Sequence, residues 1–317
     1  MKAIPRKHVP LLATAGVLFV LFGSASIRFE GFCSPFVIAD LFSENAFLGI
    51  TAVGMTLVII SGGIDLSVGS VIGFTTIFTA TMISDKGLPP LLVWGMALGI
   101  GTSLGAAMGV LIQEFELPPF LVTLGGLFFA RGMAFVVRKE SVQIDHPVYE
   151  TLGNVNLPIG GGAELTFPAL LFLGLLLAAI LLAHSTRFGR NLYAVGGNEE
   201  SALLMGLPVA RTKVCVYTFN GFCSALAGIA MTLYMDSGNP LNAMALELDA
   251  IAVVVIGGTL LSGGIGFVAG TLLGFLIHTT IAQITYFANL PASLASITVG
   301  TLLLIFIILQ KALSRSR

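Results

Sequence analysis

Residues 61–74 read SGGIDLSVGSVIGF, and residues 262–275 read SGGIGFVAGTLLGF. Seven of the fourteen positions match, including four glycines in the same order. Both stretches interrupt long apolar segments, and paired glycine-broken segments in the two halves of a membrane protein point to a translocation pathway. Non-helical backbone at membrane depth is tolerated only where it faces protein or water. We therefore expect two broken helices beside a route through a membrane.

The composition requires a lipid environment for most of the chain. Of its 317 residues, 56% are hydrophobic and only 10% are charged, whereas soluble domains carry about 25% charged residues. The 61 residues from Ala250 to Gln310 contain no Asp, Glu, Lys or Arg, which is enough for three helices at about 20 residues per span. A net charge of −1 offers no electrostatic basis for binding nucleic acid.

The apolar runs predict an all-α polytopic membrane protein with about ten transmembrane helices. The second and eighth runs end in glycine pairs, Gly62-Gly63 and Gly257-Gly258, and the eighth is too short to span alone. The first run resembles a signal peptide, but its 19 uncharged residues favour an uncleaved helix. The predicted segments are 9–27, 44–61, 67–84, 88–112, 118–138, 165–184, 213–235, 250–261, 264–286 and 292–310.

The basic residues set the expected orientation, because cytoplasmic segments carry an excess of Lys and Arg. With both termini in the cytoplasm, ten of the fifteen basic residues lie inside: Lys2, Arg6, Lys7, Arg187, Arg190, Arg211, Lys213, Lys311, Arg315 and Arg317. Six of the predicted segments lie between the two glycine breaks, so the elements that contain the breaks, around 44–84 and 250–286, are predicted to be parallel repeats. Both belong to one transmembrane domain, residues 1–317.

The first break supplies the candidate pathway residues. Gly62 and Gly63 let the backbone leave helical geometry, and Asp65 or Ser67 can cap the helix that follows. An ionisable residue within a membrane is also by default a functional-site candidate. Gly266 occupies the position of Asp65 in the second copy, which supports capping because glycine is tolerated there. The two roles are compatible. We add Asn45, Gly263 and Gly264 to the candidate pathway.

Two further polar residues lie within predicted spans. Arg131 either pairs with an acidic group at the pathway or extends to the outer interface. His278 either binds a polar solute or is a packing histidine.

The segment 185–212 between the sixth and seventh spans predicts a short, capped helix on the cytoplasmic side. Asn198 is a suitable N-cap, Glu199 and Glu200 suit the first turn, and Gly206 with Pro208 ends the helix. So short a helix is marginal alone in water. We expect it to dock on this protein's own inner surface or on a partner.

Several kinds of chemistry lack the residues they need. The sequence has no G-x-x-x-x-G-K-[ST] loop, no H-E-x-x-H motif and no cysteine pair with metal-binding spacing. We therefore predict no catalytic residue, metal site or cofactor, and a protein that is not itself an enzyme.

Three stretches resemble the permease subunits of bacterial carbohydrate ABC importers of the ribose type: NAFLGITAVGMTLVIISGGIDLSVGS (45–70), ELDAIAVVVIGGTLLSGGIG (247–266) and TRFGRNLYAVGGNEESALLMGL (186–207). The resemblance runs essentially from end to end. The segment RGMAFVVRKESVQIDHPVYETL (131–152) is most similar to the branch of that family that imports galactofuranose.

The resemblance implies a multi-pass protein of the bacterial inner membrane that carries a monosaccharide into the cytoplasm. Its partners would be a cytosolic ATP-binding-cassette ATPase, a second permease subunit in a heterodimer, and a periplasmic sugar-binding protein that docks on the loops 139–164 and 236–249. The residues that the resemblance assigns to ATPase coupling are Arg187, Gly189, Gly196, Gly197, Asn198, Glu199, Glu200 and Gly206.

The residues alone leave other readings open. An ion-coupled secondary transporter would use Asp65 as its proton or sodium site. An ABC permease for another small polar solute would share the same general design, and a membrane scaffold would transport nothing.

Overall fold

The computed structural model describes residues 9–315, and these are mostly helical. The helices are α1 (Val9–Arg28), α2 (Pro35–Ser43), α3 (Ala46–Ile60), α4 (Val68–Ser84), α5 (Pro90–Glu114), α6 (Pro119–Val137), α7 (Pro147–Gly153), α8 (Phe167–Ser185), α9 (Arg187–Gly197), α10 (Glu199–Leu204), α11 (Val209–Met235), α12 (Leu246–Ile256), α13 (Val268–Phe287) and α14 (Ala292–Arg315). Four short strands are β1 (Val142–Gln143), β2 (Asn156–Gly160), β3 (Ala163–Thr166) and β4 (Ser237–Gly238).

Each of the ten predicted apolar segments overlaps a helix, although the segment 250–261 extends five residues past the end of α12. Among the described residues, six helices are long and apolar enough to cross a membrane: α1, α5, α6, α8, α11 and α13. A seventh span is possible if α2 and α3, which meet at a bend of 56°, count as one. The other three segments correspond to α4, α12 and α14. The terminal basic residues Lys2, Arg6, Lys7 and Arg317 lie outside the described residues.

The sequence analysis did not predict α2, α7, α9 or the strands. Helix α2 starts where the Ser34 hydroxyl accepts the amide of Val37, with Pro35 in the first turn. Strand β1 pairs antiparallel with β4, and β2 with β3. Helices α7 and α9 are too short, and too polar in part, for a search based on apolar runs to find them.

We distinguish the two ends of the bundle by the elements that lie there. The α9 end contains helices α9 and α10, and Val195 of α9 and Ile112 of α5 line one cavity at this end. Helix α7 lies at the opposite, sheet end, where Trp94 of α5 donates a hydrogen bond to the Tyr149 hydroxyl. The 18 residues from Trp94 to Ile112 separate the ends by about 27 Å at 1.5 Å per residue.

Helices α3 and α11 form the centre of the bundle. Every residue of α3 except Phe47 is buried, so protein rather than lipid surrounds it. Helix α11 packs against α3, α4 and α5. Its contact with α5 is made backbone to backbone, because a Cβ added at Gly221 would lie 2.3 Å from the Gly101 carbonyl oxygen. Small residues permit such close approach of helices within a membrane.

This contact gives a stability prediction. Gly221→Ala forces α5 and α11 apart, and overpacking of this kind costs about 1–3 kcal/mol. We expect a lower melting temperature in detergent, measured with a maleimide dye that becomes fluorescent when it reacts with the buried Cys223 thiol on unfolding. Gly99→Ala on α5 is the matched control, because its added Cβ meets nothing within 4 Å. An equal loss of stability in the two variants would contradict the assigned contact.

Candidate functional site

The two glycine breaks end their helices in the same way. The first break, residues 61–67, joins α3 to α4, and Gly62 adopts a left-handed φ of +86°. The second break, residues 257–267, joins α12 to α13, and Gly258 has a φ of +93°. In each case this glycine is the second residue after the helix. Glycine is favoured there because a Cβ is costly at positive φ.

The structure pairs the glycines differently from the sequence repeat. The sequence repeat aligns Gly62 and Gly63 with Gly263 and Gly264. In the structure, however, Gly258 corresponds to Gly62, because each is the second residue after its helix. Residues 263 and 264 lie further along the second break, which has eleven residues against seven in the first. The extra residues form a turn, in which the Gly263 amide donates to the Leu260 carbonyl.

That turn brings the two breaks together at the α9 end. The amide of Gly264 donates a 2.9 Å hydrogen bond to the carbonyl of Ile60, the last residue of α3. A Cβ added at Gly263 would lie 2.9 Å from the backbone of Gly62 and 2.8 Å from the carbonyl oxygen of Gly196. The two breaks and the C-terminal end of α9 therefore meet through backbone atoms. We call this contact the glycine junction, formed by Ile60, Gly62, Gly196, Gly197, Gly263 and Gly264.

A cavity of about 250 Å³ lies beside the glycine junction. Glu199, Lys213 and Tyr217 line it together with residues of both breaks and of α9. The Tyr217 side chain is buried and its hydroxyl has no hydrogen-bond partner among the described residues. That hydroxyl faces Gly63, where an added Cβ would lie 2.2 Å from it.

Asp65 lies within the first break and is 1% exposed. Its Oδ1 accepts hydrogen bonds from the amide and hydroxyl of Ser67, at 2.8 and 2.6 Å. Its Oδ2 accepts a 2.8 Å bond from the Asn220 side-chain amide on α11. Ser67 occupies the N-cap position of α4 but makes no side-chain cap bond itself. Asp65 thus orders the residue that starts α4 and ties it to α11.

Asn45 does not join the other candidate pathway residues. It precedes α3 at the sheet end, one helix length of about 22 Å from the glycine junction. The adjacent Glu44 accepts a hydrogen bond from Gln283 of α13. The sequence did not reveal this separation, because the apolar pattern of α3 locates the helix but does not show which other residues lie near each of its ends.

The segment with α9 and α10 is held at both of its helix starts. The Thr186 hydroxyl accepts the Gly189 amide at the start of α9. Gly189 itself lies against the carbonyl of Ala183, leaving no space for a side chain. The predicted N-cap is confirmed, since Asn198 accepts the amide of Ser201 at 2.7 Å.

Helix α9 reaches the second break through a side chain as well. The Tyr193 hydroxyl donates a 2.8 Å hydrogen bond to the Gly266 carbonyl. Burial raises the pKa of Tyr193 to about 12, so the hydroxyl remains a donor throughout the physiological pH range.

Helix α10 has one buried and one exposed side. Ala202 is buried and packs in a small cluster with Val195 and Val209. Glu199 forms an ion pair with Lys213 of α11, at 2.5 Å. The exposed apolar residues at the tip of α10 are Leu203, Leu204 and Met205, which are 65%, 88% and 68% exposed. We call these three residues the α10 tip. Glu200 lies in the first turn of α10, Gly206 follows the tip with a left-handed φ of +74°, and Arg187 lies at the start of α9.

Arg131 interacts electrostatically with the acidic Glu247, as one of the two predictions expected, but its hydrogen bonds go to backbone atoms. Its guanidinium donates hydrogen bonds to three backbone carbonyls, those of Pro240, Asn242 and Gly69. It therefore fastens the segment between β4 and α12 to α4 and α6. His278 lies 3.6 Å from the Asp249 carboxylate. Within residues 9–315, no group of three His, Cys, Asp or Glu side chains is placed to hold a metal ion.

The apolar pattern of the sequence did not single out Lys213 or Tyr217. Asn220, an amide within a predicted span, is expected from the sequence either to line the pathway or to form a hydrogen bond between helices, and it donates one to Asp65. Lys213, Tyr217 and Asn220 lie at positions i, i+4 and i+7 of α11, which places them on one helix face. That spacing of polar residues in an otherwise apolar helix is the signal that could have identified them.

A helical bundle with six apolar spans among the described residues, two broken helices in contact and an exposed apolar tip is the architecture expected of a membrane permease. The chain belongs to the family described as "Branched-chain amino acid transport system / permease component", whose model matches residues 37–307.

Curated relatives match over nearly the whole chain. The inner membrane ABC transporter permease protein YjfF of Escherichia coli K12 is 46% identical over 98% of this chain and 94% of its own. The fructose import permease protein FruG of Bifidobacterium longum is 35% identical, over 98% and 92%. The ribose import permease protein RbsC of Bacillus subtilis is 37% identical, over 93% and 90%. No solved structure matches.

These matches confirm the resemblance to ribose-type ABC permeases. The chain is an ABC transporter permease and a multi-pass protein of the inner membrane.

Proposed function

We propose that this chain forms half of the transmembrane pathway of an ABC importer that carries a monosaccharide, galactofuranose or a related sugar, into the cytoplasm. The observation that carries the proposal is the glycine junction, where both broken helices contact the segment that the resemblance assigns to ATPase coupling. The printed names of relatives support a sugar, since FruG and RbsC are fructose and ribose import permeases. ATP hydrolysis takes place on a separate ATPase subunit.

The proposed architecture is a single domain, residues 1–317, with ten spans, two parallel repeats and both termini in the cytoplasm. The basic residues of the α9 end support this orientation: Arg187, Arg190, Arg211 and Lys213 all lie there. A periplasmic sugar-binding protein docks at the sheet end, where Glu140, Asp145, Glu150, Glu164 and Asp236 are exposed. Glu247 does not belong to this exposed acidic set, because it is half-buried beside Arg131. A second, related permease completes the pathway.

The substrate is tested by uptake measurements. Membrane vesicles that contain the complete importer, internal ATP and labelled sugar should accumulate galactofuranose more efficiently than ribose or fructose. Equal uptake of all three sugars, or accumulation of an amino acid instead, would contradict the assigned substrate.

The α10 tip is the proposed ATPase contact. Leu204 is 88% exposed, so a charge there leaves the fold intact, but it would be desolvated in an apolar interface at a cost of several kcal/mol. We expect Leu204→Glu to lose the ATPase on co-purification and to reduce uptake at least tenfold, with an unchanged melting temperature. Leu241→Glu is the control for ATPase co-purification alone, since Leu241 is exposed at the opposite, sheet end. Normal co-purification of the Leu204 variant would contradict the assignment.

Asp65→Asn separates this proposal from an ion-coupled transporter. An asparagine at position 65 can still accept both bonds from Ser67, and the Asn220 amide can rotate to accept one from it. We therefore expect ATP-driven uptake to remain within about threefold of wild type. A threefold loss corresponds to less free energy than one hydrogen bond to a charged group contributes. The measurement uses de-energised vesicles with internal ATP. Uptake that needs an ion gradient, and is lost in this variant, would favour the ion-coupled alternative.

A further inference from the structure

Three polar side chains form a line along one face of α11. Lys213, Tyr217 and Asn220 are spaced i, i+4 and i+7, so they lie within a narrow stripe that extends about 10 Å along the helix axis. Asn220 is fully buried and Tyr217 is 1% exposed. Polar groups at such depth in an apolar helix are costly unless they are paired or functional.

The two ends of this stripe contact the two parts of the site. Lys213 at one end pairs with Glu199 of α10, beside the α10 tip. Asn220 at the other end donates to Asp65, which in turn holds Ser67 at the start of α4. The stripe thus connects the proposed ATPase contact to the first glycine break through side chains of one helix.

The middle of the stripe contains polar atoms without partners. The Tyr217 hydroxyl and the Asn220 Oδ1 atom are buried and, within the part of the chain described, accept or donate no hydrogen bond. Buried polar groups are nearly always paired, so each exception calls for a physical explanation. A second arrangement of the neighbouring break would supply a partner for the Tyr217 hydroxyl, because Gly63 of that break lies against it. The Asn220 Oδ1 atom instead faces Gly54, within α3.

Helix α11 is suited to move together with α5 as one rigid body. The two helices approach closely at Gly101, Gly105 and Gly221, where no side chain separates the backbones. A displacement applied at Lys213 therefore reaches Asn220 without being absorbed by flexible side chains between the helices.

We propose that the Lys213–Tyr217–Asn220 face of α11 transmits movement of α10 to the first glycine break, through the Glu199–Lys213 ion pair and the Asn220–Asp65 hydrogen bond. This inference rests on the proposed docking of an ATPase at α10. It assigns Lys213 and Asn220 as positioning residues that couple ATP hydrolysis to opening of the pathway.

The test measures sugar molecules imported per ATP hydrolysed, using the permease assembled with its ATPase and binding protein. Lys213→Glu opposes Glu199 with a like charge, and Asn220→Leu removes the donor to Asp65. For each we expect the ratio to fall at least fivefold. Thr218→Ala is the matched control, because its hydroxyl bonds only the Val214 carbonyl of its own helix, and its ratio should equal that of wild type.

Two double variants restore the contacts with the roles of the partners exchanged. Glu199→Lys with Lys213→Glu recreates the ion pair. Asp65→Asn with Asn220→Asp recreates the hydrogen bond while keeping the Oδ1 atom that accepts both bonds from Ser67. We expect each to recover at least half of the wild-type ratio. Recovery is the readout that misfolding could not produce.

Two results would overturn the inference. One is that either single variant lowers ATP hydrolysis and uptake in parallel, which leaves the ratio unchanged. The other is that both double variants fail to restore the ratio. Failure of the proposed function is a different result, because the wild-type complex would then show no ATP-dependent uptake, and the inference would fail with it.

Discussion

Replacing Gly196 with alanine is expected to reduce uptake by about fivefold or more. The added Cβ would lie 1.7 Å from the Ile60 carbonyl oxygen and 2.8 Å from the Gly264 amide. Both neighbours are backbone atoms, so the end of α9 must withdraw from the glycine junction. Displacement of this kind costs about 1–3 kcal/mol, and 1.4 kcal/mol corresponds to a factor of ten.

The adjacent glycine provides the control for this prediction. An alanine Cβ at Gly197 meets nothing within 4 Å, and the residue has no positive φ. Gly197→Ala should therefore retain more than half of the wild-type uptake. Uptake is measured in vesicles that contain the whole importer, together with permease content by immunoblot. If the two alanine variants import sugar equally well, the glycine junction has no role in transport.

Arg131→Met is expected to have the second large effect. Three backbone carbonyls would lose their charged donor, and half-buried Glu247 would lose a neighbouring cation. Hydrogen bonds to charged groups contribute about 1.5–3 kcal/mol each. Because the site is only half-buried, we expect a total loss of about 3 kcal/mol in unfolding free energy, rather than the sum of all three. Uptake should fall together with the unfolding free energy, since the segment between β4 and α12 loses its hydrogen bonds to Arg131 of α6.

Arg138→Met is the comparison for Arg131→Met. Arg138 ends the same helix, α6, and its ion pair with Asp85 is exposed, with about 40% of each side chain accessible. Exposed ion pairs contribute about 0–1 kcal/mol. Thermal unfolding in detergent, followed by the loss of soluble protein, should rank the two variants clearly. A smaller effect at position 131 than at 138 would show that the guanidinium contacts are not formed.

The locations of helices were predictable where a single physical requirement acts along the chain. Long runs without charge must be helical in lipid, and each of the ten runs overlaps a helix. Local rules also held at helix ends. Asn198 accepts the amide of Ser201, and the glycine pairs at 62 and 257 follow the ends of α3 and α12. These features depend on contacts between residues only a few positions apart, so they can be predicted from the sequence.

Other features depend on long-range contacts and were not predictable. The repeat aligned Gly263 with Gly62, yet these residues meet face to face because the second break is longer. Asn45 lies a full helix length from the other candidates. Helix α9 went unpredicted because its position is stabilised by contacts with Ile60 and Gly266, which are distant in sequence.

By itself, the sequence determined that this protein is a helical membrane permease with two glycine-broken helices and a capped α10. Lipid solvation and helix capping act locally, and so they leave a direct pattern in the chain. Only the tertiary structure decided that both breaks meet at Gly196, and that Asp65 is tied to α11 through Asn220. Such contacts join residues that are far apart in the chain, by 155 positions for Asp65 and Asn220, and they arise only when the helices pack.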